Sequence, residues 1–239
     1  LNITNNPKID IVVELIGGSD GLAKKIVFSS LKNKKHVITA NKALISKHGN
    51  KLSYLAEKNN VNFEFEASVA AGIPIIRSIK EGLISNKISK LIGILNGTSN
   101  YILSRMELTG KNFDEILKEA IKLGYAESKS KSDLNGEDVG SKIKILSSLC
   151  FNTLISENNI LIDGIYNIEN KDIINAKKLG YRIKLLGITE MINKNIFERV
   201  HPCLVDVNSY IGNINGVFNA SIINSSPVGQ TIMQGKGAG

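Results

Sequence analysis

The chain has 239 residues, a net charge of +8, 42% hydrophobic residues and 5% aromatic residues. That length can bury the core of one large domain or two small ones, and no apolar run approaches a membrane span. The lysines are scattered and not interleaved with aromatic rings, which argues against a base-stacking nucleic-acid surface. The first residues carry no basic stretch followed by an apolar one, so no signal peptide is expected. The lack of an initiator Met suggests a piece of a longer reading frame. Cys150 and Cys203 lie far apart without a CxxC spacing or a Cys/His ligand neighbour, and His36, His48 and His201 form no metal-binding spacing. Reduced thiols, a cytoplasmic protein and no structural zinc are the expectation.

Residues 10–16 form a short apolar run ending in Gly17, Gly18, Ser19 and Asp20. This predicts a buried strand, a glycine turn and an N-cap for a helix running to about Leu31, with Leu22, Ile26, Val27 and Leu31 facing inward. Residues 35–39 predict the next strand and residues 47–59 a second helix. Residues 61–67 then alternate Val61, Phe63, Phe65 and Ala67 against Asn62, Glu64 and Glu66. Strand–helix–strand–helix–strand with tight connections predicts a parallel sheet, with ligands beyond the carboxyl ends of its strands. No GxGxxG turn precedes Asp10, so a nucleotide domain here would lack its first half.

The pattern changes after Ala67. A small-residue turn at 70–76 leads into a helix to about Ile84, then a strand at 90–95 and a turn through Asn96, Gly97, Thr98, Ser99 and Asn100. Helices are predicted at 101–106 and 113–123. The 96–100 turn could seat a carboxylate on its N–H and hydroxyl donors, or be only a capped turn. Asn96-Gly97-Thr98 and Asn219-Ala220-Ser221 match a glycosylation sequon, read as chance in a cytoplasmic chain. Residues 127–142 gather Glu127, Asp133, Glu137, Asp138 and Lys142 on a loop entering a helix with the apolar stripe Val139, Ile143, Leu146 and Cys150. Asp138 and Lys142, four apart, share one helix face at the edge of that stripe. They form either a half-buried, chemically tuned pair or an ordinary surface ion pair. The last third predicts short alternating strands around one helix at 171–179, with few titratable groups of note.

Several collinear motifs resemble the homoserine dehydrogenase family: Val12 to Gly18, Thr39-Ala40-Asn41-Lys42, Phe65 to Val69, Gly72 to Ile76 and Gly93 to Leu103. Leu123 to Glu127, Asp133 to Asp138, Arg182 to Leu185 and Gly235 to Gly239 complete the set. The resemblance implies an α/β fold, with the C-terminal part of a Rossmann-like domain at 1–66. An α+β catalytic and dimerisation domain with a helix-covered mixed sheet would occupy 67–225, and a segment returning toward the nucleotide domain 226–239. The implied reaction is NAD(P)-dependent reduction of L-aspartate 4-semialdehyde to L-homoserine, on the route to threonine, isoleucine and methionine.

Carried over by position, Lys142 and Asp138 would be catalytic. Glu127, Asp133, Asn96, Gly97, Thr98 and Tyr125 would bind substrate. Gly17, Gly18, Ser19, Lys42, Gly124 and Gly237 would meet NADP or NAD. Glu66, Val69, Ala71 and Ile73 match a loop whose carbonyls hold a monovalent cation, sodium, in some members. A homodimer is implied, with no nucleic-acid or membrane partner. Lys129-Ser130-Lys131 departs from the family's acidic-proline stretch after the glutamate, and Glu137 adds a carboxylate. Two other readings stay open: a dehydrogenase using Cys150 as a thiol nucleophile, and a catalytically silent dimerisation or binding module.

Overall fold

Two sheets organise the molecule, and each arises from a different residue pattern. The computed structural model describes residues 2–126, 131–158 and 160–237. After the short helix α1 (Asn2–Asn5) come β1 (Ile11–Glu14), α2 (Leu22–Lys32), β2 (His36–Thr39), α3 (Lys42–Lys58) and β3 (Phe63–Glu64). The strands pair in parallel in the order β1-β2-β3, with Ile11 opposite His36 and Val37 opposite Phe63. Val12, Val37 and Phe63 face the helices and are buried, while Ile11, Val13 and Ile38 on the other face are exposed. The alternation is the pleat of an extended strand.

A helical stretch, α4 (Ile75–Arg77) continuing through Ser78–Gly82, leads to the second unit. Its elements are β4 (Lys87–Ile94), α5 (Gly97–Thr109), α6 (Phe113–Lys122), α7 (Lys131–Leu134), α8 (Glu137–Phe151), β5 (Leu161–Ile162), α9 (Asn170–Lys178), β6 (Tyr181–Ile192), β7 (Asn195–Asp206), β8 (Phe218–Ser226) and β9 (Gly229–Lys236). The strands lie in the order β5-β7-β6-β4-β8-β9, antiparallel except for β5 with β7. Helix α8 lies across β6, β7 and β4. Gly187 of β6 lets it sit close, because a Cβ there would fall 2.5 Å from Ile143 and 2.8 Å from Val139. A larger residue at 187 would lift α8, and Asp138 and Lys142 with it. One apolar core joins the two units, running from Val27, Val37 and Leu44 through Ile75 to Ile143, Leu146 and Ile223. The mixed architecture agrees with the fold class expected from the sequence.

Several local expectations are corrected. Leu22 is exposed, and the buried positions of α2 are Ala23, Val27, Ser30 and Leu31. Asp20 does not cap that helix; Gly21 occupies the N-cap, and the Asp20 carboxylate pairs instead with Lys47 at 2.6 Å. Helix α3 begins five residues early because the Asn41 side chain accepts from Leu44 N at 3.1 Å and caps it. The alternation at 61–67 stops after Glu64. Residues 66–68 coil into a tight turn, the Ser68 hydroxyl donates to Phe65 O, and Ala67 is exposed. Helix α5 starts at Gly97 under an Asn96 cap, not at Tyr101. The strands of the last third are long: β6 and β7 have 12 residues each. Residues 229–236 form the edge strand β9.

Candidate active site

The site grows from two helix N-termini that meet beyond the ends of two sheets. Asn96, the N-cap of α5, accepts from Ser99 N at 2.8 Å through its side-chain oxygen. Its amide nitrogen is then free to donate to Asp133 Oδ1 and to Asp138 Oδ2, each at 2.9 Å. Asp138 lies in the first turn of α8, where the helix dipole favours a carboxylate. Lys142, one turn on, donates to Asp138 Oδ2 at 2.8 Å and to Leu95 O at 2.6 Å. Lys42, from the first turn of α3, reaches Asp138 Oδ1 at 3.1 Å. The side chain of Asp138 is 5% exposed and that of Lys142 is 12% exposed. This is a buried charge cluster, so the surface-pair alternative is set aside.

Electrostatics separate the two aspartates. Burial alone would raise the Asp138 carboxyl, but the Lys142 and Lys42 ammoniums and the hydrogen bonds from Asn96 and Lys142 outweigh it and hold it below its usual value. Asp133 is shifted the other way, raised by burial and by the Asp138 charge, against the smaller effects of Asn96, Lys142 and Lys42. Two carboxyls bridged by one amide are thus shifted in opposite directions.

These groups line a cavity of about 500 Å³. Of the residues singled out by sequence, it brings together Lys142, Asp138, Asp133, Asn96, Gly97, Thr98, Tyr125, Lys42, Gly124, Gly237 and Ala71. Thr98 Oγ1 donates to Tyr125 O at 2.6 Å, tying the α5 turn to the segment after α6. A Cβ on Gly97 would fall 2.8 Å from Val217 O, so the backbone approach there requires glycine.

Glu127 lies outside the described residues. Gly17, Gly18 and Ser19 do not line the cavity; the amide of Asn41, the residue between the lining residues Ala40 and Lys42, donates to Gly18 O at 2.8 Å. Glu66, Val69 and Ile73 are also outside the lining. The Glu66 carboxylate caps α4, accepting from Ile76 N at 2.9 Å and Arg77 N at 2.8 Å. Ala70 and Ala71 both have left-handed backbone, which turns successive carbonyls of that segment.

Sequence reading missed several contributors. Glu14, buried at the end of β1, accepts from Thr39 Oγ1 and from Ile16 N and Gly17 N, and so sets the glycine turn. Against the effect of its burial, those bonds hold its carboxyl below the usual range. Asn219 of β8 lines the cavity at 2% exposure. Lys184, 1% exposed and outside the cavity lining, supports α5 from the sheet side, donating to Ile214 O at 2.6 Å and to the side-chain oxygens of Asn215 and Asn100 at 3.0 and 3.1 Å. Only the strand register, which sets Lys184 and Asn219 inward, could have signalled these two.

Cys203 does have a histidine neighbour, since its Sγ lies 3.3 Å from His201 Nδ1. Its thiol is raised by burial, with Arg199 and Lys90 pulling the other way. Burial pushes the Cys150 thiol up to about 12, the reverse of an activated nucleophile. A larger hollow of about 740 Å³ adjoins Cys150, walled chiefly by apolar side chains such as Ile79, Leu83 and Leu154. It contains none of the charge cluster. Among the described residues no group of three or more His, Cys, Asp or Glu could hold a metal ion. Nor is any described helix long and apolar enough to cross a membrane.

Comparison with known proteins places these residues in context. Residues 74–239 match the family model described as homoserine dehydrogenase, and residues 2–66 match the homoserine dehydrogenase NAD binding domain. The homoserine dehydrogenase of Neisseria gonorrhoeae is 48% identical over 231 residues, covering 97% of this chain and 53% of that protein. That of Pseudomonas aeruginosa is 44% identical, covering 100% and 55%. The crystal structure of a homoserine dehydrogenase from Thiobacillus denitrificans superposes with a TM-score of 0.97 at 44% identity, covering 100% of this chain and 55% of that one. A hyperthermophilic archaeal homoserine dehydrogenase in complex with NADPH superposes with a TM-score of 0.82 at 26% identity, covering 96% and 66%. The chain therefore spans about half the length of the curated relatives it matches.

Proposed function

Because the chain belongs to the homoserine dehydrogenase family, we propose that its cavity carries the NAD(P)-dependent interconversion of L-aspartate 4-semialdehyde and L-homoserine. The observation that supports this best is the Lys142 ammonium. Among the described residues two of its three N–H donors are committed, to Leu95 O and Asp138, and Lys142 lines the cavity. An oxygen that gains negative charge as an aldehyde is reduced needs such a positioned donor. Asp138 orients Lys142 and, held ionised by two ammoniums and an amide, does not compete for its proton. Lys42 completes the electrostatic wall from the opposite unit.

The nicotinamide cofactor, when bound, supplies or receives the hydride. The chain fits such a group: Gly17 and Gly18 have left-handed backbone with nothing within 4 Å of where a Cβ would stand, leaving an open turn beyond β1. Gly17, Gly18, Ser19, Lys42, Gly124 and Gly237 would hold the cofactor. Asn96, Gly97, Thr98, Tyr125 and Asp133, with Glu127, would hold the amino-acid part of the substrate.

The finer assignments belong to the same reading: NADP as the working cofactor, a homodimer, a cytoplasmic setting, and a role in threonine and methionine synthesis. So do the domain limits 1–66, 67–225 and 226–239. A sodium ion at the 66–73 segment would rest on backbone carbonyls, since the Glu66 carboxylate is engaged as a cap. The test is NADPH formation on adding L-homoserine to the protein with NADP. Formation with L-homoserine and none with its O-methyl ether is the expected result. Cofactor binding without turnover would favour the binding-module reading.

A further inference from the structure

Thr98, Tyr101 and Arg105 are spaced three and four residues apart, so they share one face of α5. That face meets α6 and the segment after it, and its contacts there go beyond the bond from Thr98 to Tyr125 O. Tyr101, 7% exposed, packs its ring against that of Tyr125, with centroids 4.9 Å apart and planes tilted by 55°. The far end of Tyr101 is fixed in turn. Its hydroxyl donates to Glu119 Oε1 of α6 at 2.6 Å, and Arg105 Nε donates to the same oxygen at 2.9 Å. Burial, the bond to Glu119 and the charge of that carboxylate raise the Tyr101 phenol above its usual 10, so it stays a donor. Tyr125 is 44% exposed and lines the cavity, whereas Tyr101 does not. Gly124 has left-handed backbone, and Tyr125 N donates back to Ala120 O at 2.9 Å, so the chain turns off the end of α6 just where the Tyr125 ring begins.

We propose that Tyr101 is a positioning residue, which holds the Tyr125 ring in place as a wall of the cavity and so sets the affinity for the amino-acid substrate without touching it. The inference rests on the functional reading above and extends it to a residue outside the cavity. The tie from Thr98 fixes only the backbone of Tyr125, and a half-exposed ring turns about its side-chain bonds unless a neighbour holds it. Among the described residues Tyr101 is its one ring partner. An aromatic pair of this geometry contributes direction as well as buried area. Glu119 and Arg105 keep Tyr101 from turning with it, since its hydroxyl is bonded on the opposite side of the ring from the main chain. None of Tyr101, Glu119 and Arg105 bonds to Lys142 or Asp138. Displacing the Tyr125 wall therefore weakens ground and transition states alike, which raises KM and leaves kcat in place.

The test is steady-state oxidation of L-homoserine with NADP, read as KM and kcat separately. Tyr101→Leu is expected to raise KM for L-homoserine about 3–10-fold, the size of one aromatic pair, with kcat within about twofold of wild type. Tyr101→Phe keeps the ring and should return KM to within about twofold of wild type. In a Tyr125→Leu background the Tyr101→Leu change should add nothing further to KM, because its effect runs through the ring that is already gone. If Tyr101→Leu does not fold, Tyr101→Met, which fills the space with a pliable chain and no ring, is measured in its place with the same expectation. Unchanged KM in the folded variant overturns the proposal. So does a rise of full size in the Tyr125→Leu background, which would make Tyr101 a packing residue only. Absence of turnover in the wild type overturns the functional reading itself, and this inference with it.

Discussion

Lys42 Nζ lies 3.1 Å from Asp138 Oδ1, an ion pair that joins the first turn of α3 to the first turn of α8. It spans the seam between the parallel sheet and the six-stranded one. The Lys42 side chain is 42% exposed, so its contribution to stability is small, below about 1 kcal/mol. Its effect on chemistry is larger, because Asp138 sets the position of Lys142. Lys42→Met should unfold at nearly the wild-type midpoint yet lose roughly 10–100-fold in kcat/KM for L-homoserine. A large drop in stability with unchanged kcat/KM would place Lys42 in the scaffold and not in the site.

Asn96 does three jobs with one side chain, capping α5 and bridging Asp133 to Asp138. Asn96→Ala removes the cap, about 1 kcal/mol, and leaves the buried Asp138 and half-buried Asp133 carboxyls without their shared donor, a further ~1–3 kcal/mol. Urea denaturation should show a loss of roughly 2–4 kcal/mol. A loss well under 1 kcal/mol would mean that the bridge does not persist in solution.

The Asp138 carboxyl predicts an acid limb of stability. Its folded value lies below the usual 3.8, so its contribution is fully present above that pH and is lost as pH falls through the lower folded value. Asp138→Asn should flatten this limb in denaturation midpoints followed below about pH 4. Asp133, whose folded value is raised, has the opposite sign, and Asp133→Asn should improve relative stability just above its usual range. Parallel pH profiles for wild type and Asp138→Asn would contradict the assignment.

Lys184 gives the alkaline counterpart. Burial brings its ammonium down to about 8 from the usual 10.5, with Glu107 opposing and Arg182 assisting the shift. Between those values the unfolded chain binds the extra proton, so stability should rise as pH is taken from about 8 to 10.5. The oxygens of Ile214, Asn215 and Asn100 offset part of the cost of burial, leaving an effect of about 1–3 kcal/mol. Lys184→Met should abolish the rise, as read from denaturation midpoints across that range.

Much of the site was legible because its residues fall at the ends of elements. Asn96 to Thr98 follow a strand, and Asp138 and Lys142 share a helix face by spacing alone. What could not be read were contacts made by strand register. Asn219 reaches the cavity and Lys184 the α5 side of the sheet only because β8 flanks β4 and β6 flanks β4 on its other edge. The helix starts at 42 and 97 are set by the caps Asn41 and Asn96; in α5 the first buried apolar residue, Tyr101, comes a turn after the cap, whereas in α3 Leu44 and Ile45 already mark the first turn. The two-residue β3 was overextended. The alternation of residues 61–67 is real in sequence, but the turn at 66–68 ends it.

The cysteines supply a clean negative control. With its thiol pushed up to about 12, Cys150 is a core packing residue, and Cys150→Ser should change kcat for homoserine oxidation less than about twofold. Abolished activity in a folded Cys150→Ser protein would revive thiol chemistry.

The central claim is that Lys142 supplies the hydrogen bond and proton at the reacting oxygen. It is tested most directly by NADP-dependent oxidation of L-homoserine, run side by side on the protein and on Lys142→Ala, with NADPH affinity measured for both. The account predicts a loss of at least about 100-fold in rate with cofactor affinity unchanged within about twofold. Equal rates in the two proteins would contradict it.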